Sequence, residues 1–301
     1  MRTRVTARIV QFPDLRIVPA LRPLHWSKNL LVFIPIVLAH RVADSAALVP
    51  TLIVFAAFCA VASGTYLIND CRDAEFDRAH PKKKTRLVAS GALSLQAALV
   101  IGIVLVLGGI AAAWFASHRA APFVAGYVLL SLLYSFALKR FPMVDVIALS
   151  AFYAIRVLAG GAAAGVEVSD WLMAFCTFLF ICLALLKRYA DLRHLAKRGE
   201  SAGGRGYVAD DADLLRSIGV ACGMIAVLVF ALYLDSQTVR RLYASPRLMW
   251  LIAPLLLYWI SHMWLLAHRG TVEDDPIIVA AKDIPSYVVA LLVAAIALAA
   301  A

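Results

Sequence analysis

Residues 64–91, GTYLINDCRDAEFDRAHPKKKTRLVASG, pass within a few positions from apolar to acidic to basic. Asn69, Asp73 and Asp77 recur at every fourth residue, and Asp70, Asp73 and Asp77 are three and four apart. On a helix either set lines one face, because four residues make slightly more than one turn. Carboxylates side by side repel unless a cation sits among them. Hard oxygen donors suit Mg²⁺, which keeps waters and shares its shell with substrate phosphates. Lys82, Lys83, Lys84 and Arg86 follow at once. Acid for a metal and base for phosphate is the arrangement a diphosphate site needs. A solvated helix end explains the same residues less well, since carboxylates at the end of an apolar span are costly and tend to be functional.

A second set stands in LLKRYADL, where Lys187 and Asp191 are four apart and share a helix face, with Arg188 and Tyr189 between them. If the bundle brings this helix to the first motif, Lys187 and Arg188 face Asp73 and Asp77 across a cavity. A third stretch, YSFALKRFPMVDVIALSAFYAIRVLAGG, adds Tyr134, Lys139, Arg140, Asp145 and Arg156. Arg156 lies about three turns into an apolar helix, where a cation needs a partner or a polar cavity; Tyr153 and Asp145 are the neighbours expected for it. Near the C-terminus, EDDPIIVAAKD reads mainly as a solvated loop capping the last helix, with substrate contact from Asp275 or Asp283 as the lesser reading.

The elements that hold these residues are membrane helices. The 301 residues are 63% hydrophobic and 16% charged, with a mean hydropathy of +0.83, well beyond soluble domains. Nine spans are expected, each near the ~20 apolar residues of a crossing. They run from Trp26 to His40, Ala46 to Asp70, Leu93 to Ser117, Ala120 to Leu138 and Val144 to Gly165. The remaining four run from Trp171 to Arg188, Leu214 to Leu234, Leu248 to His268 and Ile284 to Ala301. Residues 1–25 read as a basic cytoplasmic arm without a signal-peptide pattern, and 26–301 as one transmembrane domain. Arg22, Trp26 and Lys28 stand at headgroup level before the first span. Most of the 29 lysines and arginines fall in the arm and in the loops after even-numbered spans. The positive-inside rule therefore places the N-terminus and those loops in the cytoplasm, at the inner (plasma) membrane. The net charge of +10 then reflects topology and an anionic ligand, and nucleic acid is excluded as a partner. The five cysteines have neither zinc-ligand spacing nor a disulfide framework.

NDCRDAEFD resembles the first aspartate motif, NDxxDxxxD, of the UbiA superfamily of intramembrane prenyltransferases, and KTRLVASG resembles the basic segment that follows it there. The likeness covers essentially the whole chain. The second motif departs from the usual DxxxD, since Lys187-Arg-Tyr-Ala-Asp191 has lysine in place of the first aspartate. In this it resembles the superfamily's phosphoribosyltransferase branch, as do LRPLHWSKN and AFYAIRVLAGG. The resemblance implies an all-α, nine-helix bundle with its site at the cytoplasmic face. It implies Mg²⁺ held by Asn69, Asp70, Asp73 and Asp77, and catalysis through Asp73, Asp77 and Lys187. Substrate contacts would come from Lys28, Asn69, Lys83, Arg86, Tyr134, Lys139, Arg156, Arg188, Tyr189 and Asp191. The implied reaction moves 5-phosphoribose from phosphoribosyl diphosphate to a decaprenyl-type polyprenyl phosphate within the lipid bilayer, with a homo-oligomer as a further option. Lysine suits a lipid phosphate where aspartate would suit a second metal. Prenyl transfer from a prenyl diphosphate is the alternative chemistry. A non-catalytic transport or lipid-binding protein is the alternative class, disfavoured because the acids gather at one membrane face rather than near mid-membrane.

Overall fold

The computed structural model describes residues 18–79, 83–198, 206–236, 239, 243–272 and 275–300, with the backbone alone at 196–198. The described residues are helical, with no strand among them. In chain order the helices are α1 (Pro23–Leu38), α2 (Ser45–Arg72), α3 (Ala74–Ala79), α4 (Leu95–Ala116), α5 (Ala121–Phe136) and α6 (Val144–Ala164). They continue as α7 (Asp170–Arg198), α8 (Asp211–Leu234), α9 (Pro246–Arg269), α10 (Pro276–Ala280) and α11 (Ile284–Ala300). Among the described residues, apolar helices stand at all nine expected places. Six of them, α2, α4, α6, α7, α8 and α9, have the length and composition of a full crossing, whereas α1, α5 and α11 are shorter.

Local chemistry sets several ends. The Asp44 carboxylate accepts from Ala46 N at 2.9 Å and opens α2; Ser94 Oγ accepts from Ala97 N at 3.2 Å and opens α4. Gly165, at φ 63°, closes α6 in the left-handed region that glycine tolerates. Ser94→Ala is expected to lower stability by about 1 kcal/mol, read as a lower melting temperature in detergent with unchanged helicity.

Helix pairing depends on close backbone approach, as is usual in lipid. A Cβ on Gly64 of α2 would lie 2.6 Å from the Gly102 carbonyl of α4, and one on Gly160 of α6 would collide with the Val32 carbonyl of α1. One core joins Val54, Phe58 and Val61 of α2 to Val124 and Tyr127 of α5; another joins Leu186 and Tyr189 of α7 to Ile260, Met263 and Trp264 of α9. All five cysteines are free, with Cys59, Cys176 and Cys182 buried.

Two boundaries bear on the site. Helix α7 runs on to Arg198, ten residues past the apolar part of the sixth span, and carries Lys187, Arg188 and Asp191 within it. Residues 18–25, read as the end of the arm, already form a helical turn at Val18–Leu21 and the start of α1, which places Arg22 and His25 against the bundle.

Candidate active site

The acid motif does not ride on one straight helix. Helix α2 stops at Arg72, Asp73 takes φ −88° and ψ 3°, and α3 restarts at Ala74. This corrects the expectation of one carboxylate-lined face. Asp70 and Asp77 are buried and converge on one guanidinium. Arg86 Nη1 lies 3.1 Å from Asp70 Oδ1 and 2.7 Å from Asp77 Oδ2. Arg22 Nη2 donates to both Asp70 oxygens, at 2.6 and 2.9 Å. Its guanidinium stacks 4.8 Å from the Tyr66 ring centroid, and its backbone has φ 52°, a left-handed conformation that costs a non-glycine residue about 1–2 kcal/mol. Asp73 is turned elsewhere and is more open, at 27% side-chain exposure. It accepts from Arg72 Nε at 2.9 Å and Asn69 Nδ2 at 3.2 Å. Lys83 and Lys84 are exposed on the short turn Lys83–Thr85; Lys82 lies outside the described residues.

Among the described residues no group of three or more His, Cys, Asp or Glu stands ready to hold a metal. The donors nevertheless fit Mg²⁺. Asp70 and Asp77 already converge on one cationic position, filled by Arg86, and Asp73 and Asn69 supply further hard oxygens one turn away.

The second cluster is centred on a residue whose weight the sequence did not reveal. Asp275 was expected in a solvated loop, yet it is only 4% exposed. Its carboxylate takes Lys28 Nζ at 2.7 Å, Lys187 Nζ at 3.4 Å and the Tyr153 hydroxyl at 3.2 Å. It also caps α10, accepting from Ile277 N at 3.2 Å. The Asp-Pro pair opening α10 was the available signal, since aspartate at the cap and proline at the first helical position start helices. Burial by itself would raise the Asp275 carboxyl, but Lys28 and Lys187 outweigh it and hold the group below the usual carboxylate range. A depressed carboxyl contributes stability above its ordinary pKa and loses it only as pH falls through the depressed value, so the Asp275 carboxylate stays ionised in mildly acidic solution. Asp283 does cap α11, accepting from Ser286 N at 2.9 Å. Glu273 and Asp274 lie outside the described residues.

Lys187 and Arg188 part company. Adjacent helical residues point about 100° apart, and Arg188, 2% exposed, turns to the other side. It pairs with Asp145, with Asp191 at 2.9 Å and with the Tyr134 hydroxyl at 2.8 Å. The Tyr207 hydroxyl donates to Asp145 at 2.6 Å. The expectation that Lys187 and Arg188 share a cavity is therefore corrected: Arg188 and Tyr134 belong to a buried network that ties α5, α6 and α7 to the segment before α8. Tyr189 packs on Trp264 with its hydroxyl 3.2 Å from His268 Nδ1, in the core against α9. Arg156 is buried as well, but neither expected neighbour meets it. Asp145 serves Arg188 and Tyr153 serves Asp275, while Arg156 bonds Asn29 Oδ1 at 2.7 Å, the Phe152 carbonyl and the Tyr127 hydroxyl at 3.3 Å. Lys139 and Arg140 lie on the turn Leu138–Arg140 after α5.

Helix α1 joins the two clusters. Arg22, just before it, reaches Asp70, Lys28 reaches Asp275, and the His25 ring between them lies tilted against Tyr66, with centroids 5.6 Å apart. The motif end of α2, the start of α1, Tyr153 of α6, Lys187 of α7 and Asp275 before α10 thus meet around α1. An acid cluster and a lysine pair there can engage a cation–diphosphate and a second anion.

Known proteins resemble this chain along most of its length. The sequence model of the UbiA prenyltransferase family matches residues 30–205. The chain is 36% identical over 278 residues to the y4nM protein of Sinorhizobium fredii, covering 91% of this chain and 54% of that one, so it spans about half that relative's length. It is 34% identical over 280 residues to nodulation protein NoeC of Azorhizobium caulinodans, covering 92% and 91%. It is 32% identical over 221 residues to decaprenyl-phosphate phosphoribosyltransferase of Mycobacterium tuberculosis, covering 72% and 73%. A UbiA homolog from Archaeoglobus fulgidus, solved with GPP and Mg²⁺, superimposes with a TM-score of 0.71 over 93% of this chain and 99% of that one; at 17% identity the likeness concerns the fold.

Proposed function

The chain belongs to the UbiA prenyltransferase family, and we propose that it transfers 5-phosphoribose from phosphoribosyl diphosphate to a polyprenyl phosphate at the cytoplasmic face of the membrane. The observation that carries this reading is Lys187 beside Lys28 on Asp275. Two ammonium groups against one carboxylate leave a net positive, largely buried cluster, which suits a lipid phosphate. The likeness to decaprenyl-phosphate phosphoribosyltransferase supports the same substrates.

Asn69, Asp70, Asp73 and Asp77 would hold Mg²⁺, whose chemistry there is to neutralise charge on the departing diphosphate. Arg86 and Lys83 would bind diphosphate oxygens. Lys28 and Lys187 would orient the acceptor phosphate toward ribose C1. The C1–O bond to diphosphate breaks with oxocarbenium character, and a bond from C1 to a phosphate oxygen of the lipid forms. The nucleophile is already an anion, so no proton need be removed; positioning and fixed charge supply most of the rate. Arg188 and Tyr189 act by holding α7 in place, through the bonds already described.

The test is purified protein with Mg²⁺ and polyprenyl phosphate, offered labelled phosphoribosyl diphosphate in one arm and a labelled prenyl diphosphate with an aromatic acceptor in the other. Label is expected in lipid in the first arm. Turnover in the second arm alone would transfer the assignment to prenyl transfer, the chemistry in the family's own description.

Orientation has its own check. A single cysteine at Lys83 or Gly203 is expected to resist an impermeant thiol reagent added outside intact cells, and one at Thr238 to react; Gly203 and Thr238 lie outside the described residues. Labelling at Lys83 from outside would reverse the topology.

A further inference from the structure

Arg86 holds the position between Asp70 and Asp77 that the proposed metal reading gives to a cation. We propose that Arg86 and a divalent cation compete for these two carboxylates, and that the donor's diphosphate resolves the competition by accepting the guanidinium. The inference rests on the metal–diphosphate reading of the acid cluster and adds to it an exchange of ion pairs.

Charge argues first. Asp70 and Asp77 are balanced by Arg22 and Arg86, so a bare divalent cation entering this buried, neutral group would leave it doubly positive. A cation arriving with diphosphate brings its own negative charge and avoids that cost. Geometry then says which arginine moves. Arg22 is held on Asp70 by bonds to both carboxylate oxygens and by its stacking on Tyr66. Arg86 bridges both acids through Nη1 alone. Its side chain is 29% exposed, and it follows directly on the exposed turn of Lys83 and Lys84, the basic stretch assigned to diphosphate. Asp77 has Arg86 as its side-chain partner among the described residues. A buried carboxylate left without a partner is costly, so departure of Arg86 must be coupled to arrival of another cation.

The competition makes metal and diphosphate binding mutually reinforcing, because each relieves a cost of the other. The experiment titrates Mn²⁺ into full-length wild type, Arg86→Gln and Arg86→Lys in detergent, with and without inorganic pyrophosphate, following free Mn²⁺ by its EPR signal and correcting for Mn²⁺–pyrophosphate formed in solution. Wild type is expected to bind Mn²⁺ weakly alone and at least about tenfold more tightly with pyrophosphate, within the range of ordinary coupling. Arg86→Gln is expected to bind Mn²⁺ alone about tenfold more tightly than wild type, to gain more thermal stability from Mn²⁺, and to lose most of the pyrophosphate effect. If Arg86→Gln does not fold, Arg86→Lys, which keeps the charge but not the bridge, should show the same changes at smaller size. Wild type that binds Mn²⁺ with pyrophosphate, together with variants whose affinity for Mn²⁺ alone is unchanged, would overturn the exchange and leave the metal site standing. Wild type that takes up no Mn²⁺ in either condition would remove the metal reading and the exchange together.

Discussion

Asp73→Ala is expected to lower phosphoribosyl transfer about a hundredfold or more, the scale of removing one group that stabilises transition-state charge, with little change in melting temperature. Asp73 is the cleanest probe of the acid motif because it sits at the helix break and is partly open, with Arg72 and Asn69 as its side-chain partners among the described residues. Losing its side chain leaves no buried charge unpaired. Asp77→Ala should also abolish transfer, but Asp77 is buried against Arg86, so part of that effect will appear as lost stability. Chelation should reproduce the activity loss of Asp73→Ala, and added Mg²⁺ should restore wild type but not the variant. Near-normal turnover in Asp73→Ala, measured with saturating donor and lipid, would end its assignment to the metal site.

For Lys187→Ala the loss should fall on the acceptor. A charge-assisted contact to phosphate is worth about 1.5–3 kcal/mol, so kcat/KM for polyprenyl phosphate should drop by about one to two powers of ten, while the KM for phosphoribosyl diphosphate moves little. The structure adds a reason for that selectivity. Lys187 meets Lys28 on Asp275, whereas the donor residues Asp70, Asp77 and Arg86 form a separate cluster. Alanine takes the lysine cluster from net positive to neutral. Lys187→Asp makes it net negative, facing Lys28 with two carboxylates, and should cost more than alanine with the same acceptor. Full phosphoribosyl transfer by Lys187→Asp, or equal damage to donor and acceptor kinetics, would remove Lys187 from the acceptor site.

Much of this was legible in the order of the residues. Apolar runs marked the nine apolar helices, because a backbone in lipid must satisfy its hydrogen bonds internally and so becomes helix. The acid-then-base composition of 69–86 marked the candidate site, because charges at that density at the end of an apolar run have few other uses. Lysine at 187 stands where the resemblance to the UbiA superfamily implies an acid, which favours an anion there over a second metal.

Pairing across the bundle was not legible, for a physical reason. Periodicity tells which residues share a face of their own helix; it says nothing about what stands opposite. Asp275 meets Lys28 and Lys187 across 247 and 88 positions of chain, and Arg22 meets Asp70 across 48. Arg188 and Lys187 are neighbours in sequence and diverge in space, because α7 is packed on two sides and each side supplied its own carboxylate, Asp145 to one and Asp275 to the other. Arg156 found neutral partners on α1 and α5 where an acid had been expected. At the break, Arg22 and Arg86 hold Asp70 and Asp77 while Asp73 bonds its neighbours Arg72 and Asn69. The sequence by itself determined the membrane helices, the chemistry available and the end of the bundle where it collects; only the tertiary structure decided which charges meet, because in a buried site each charge takes the counter-charge that packing brings within reach.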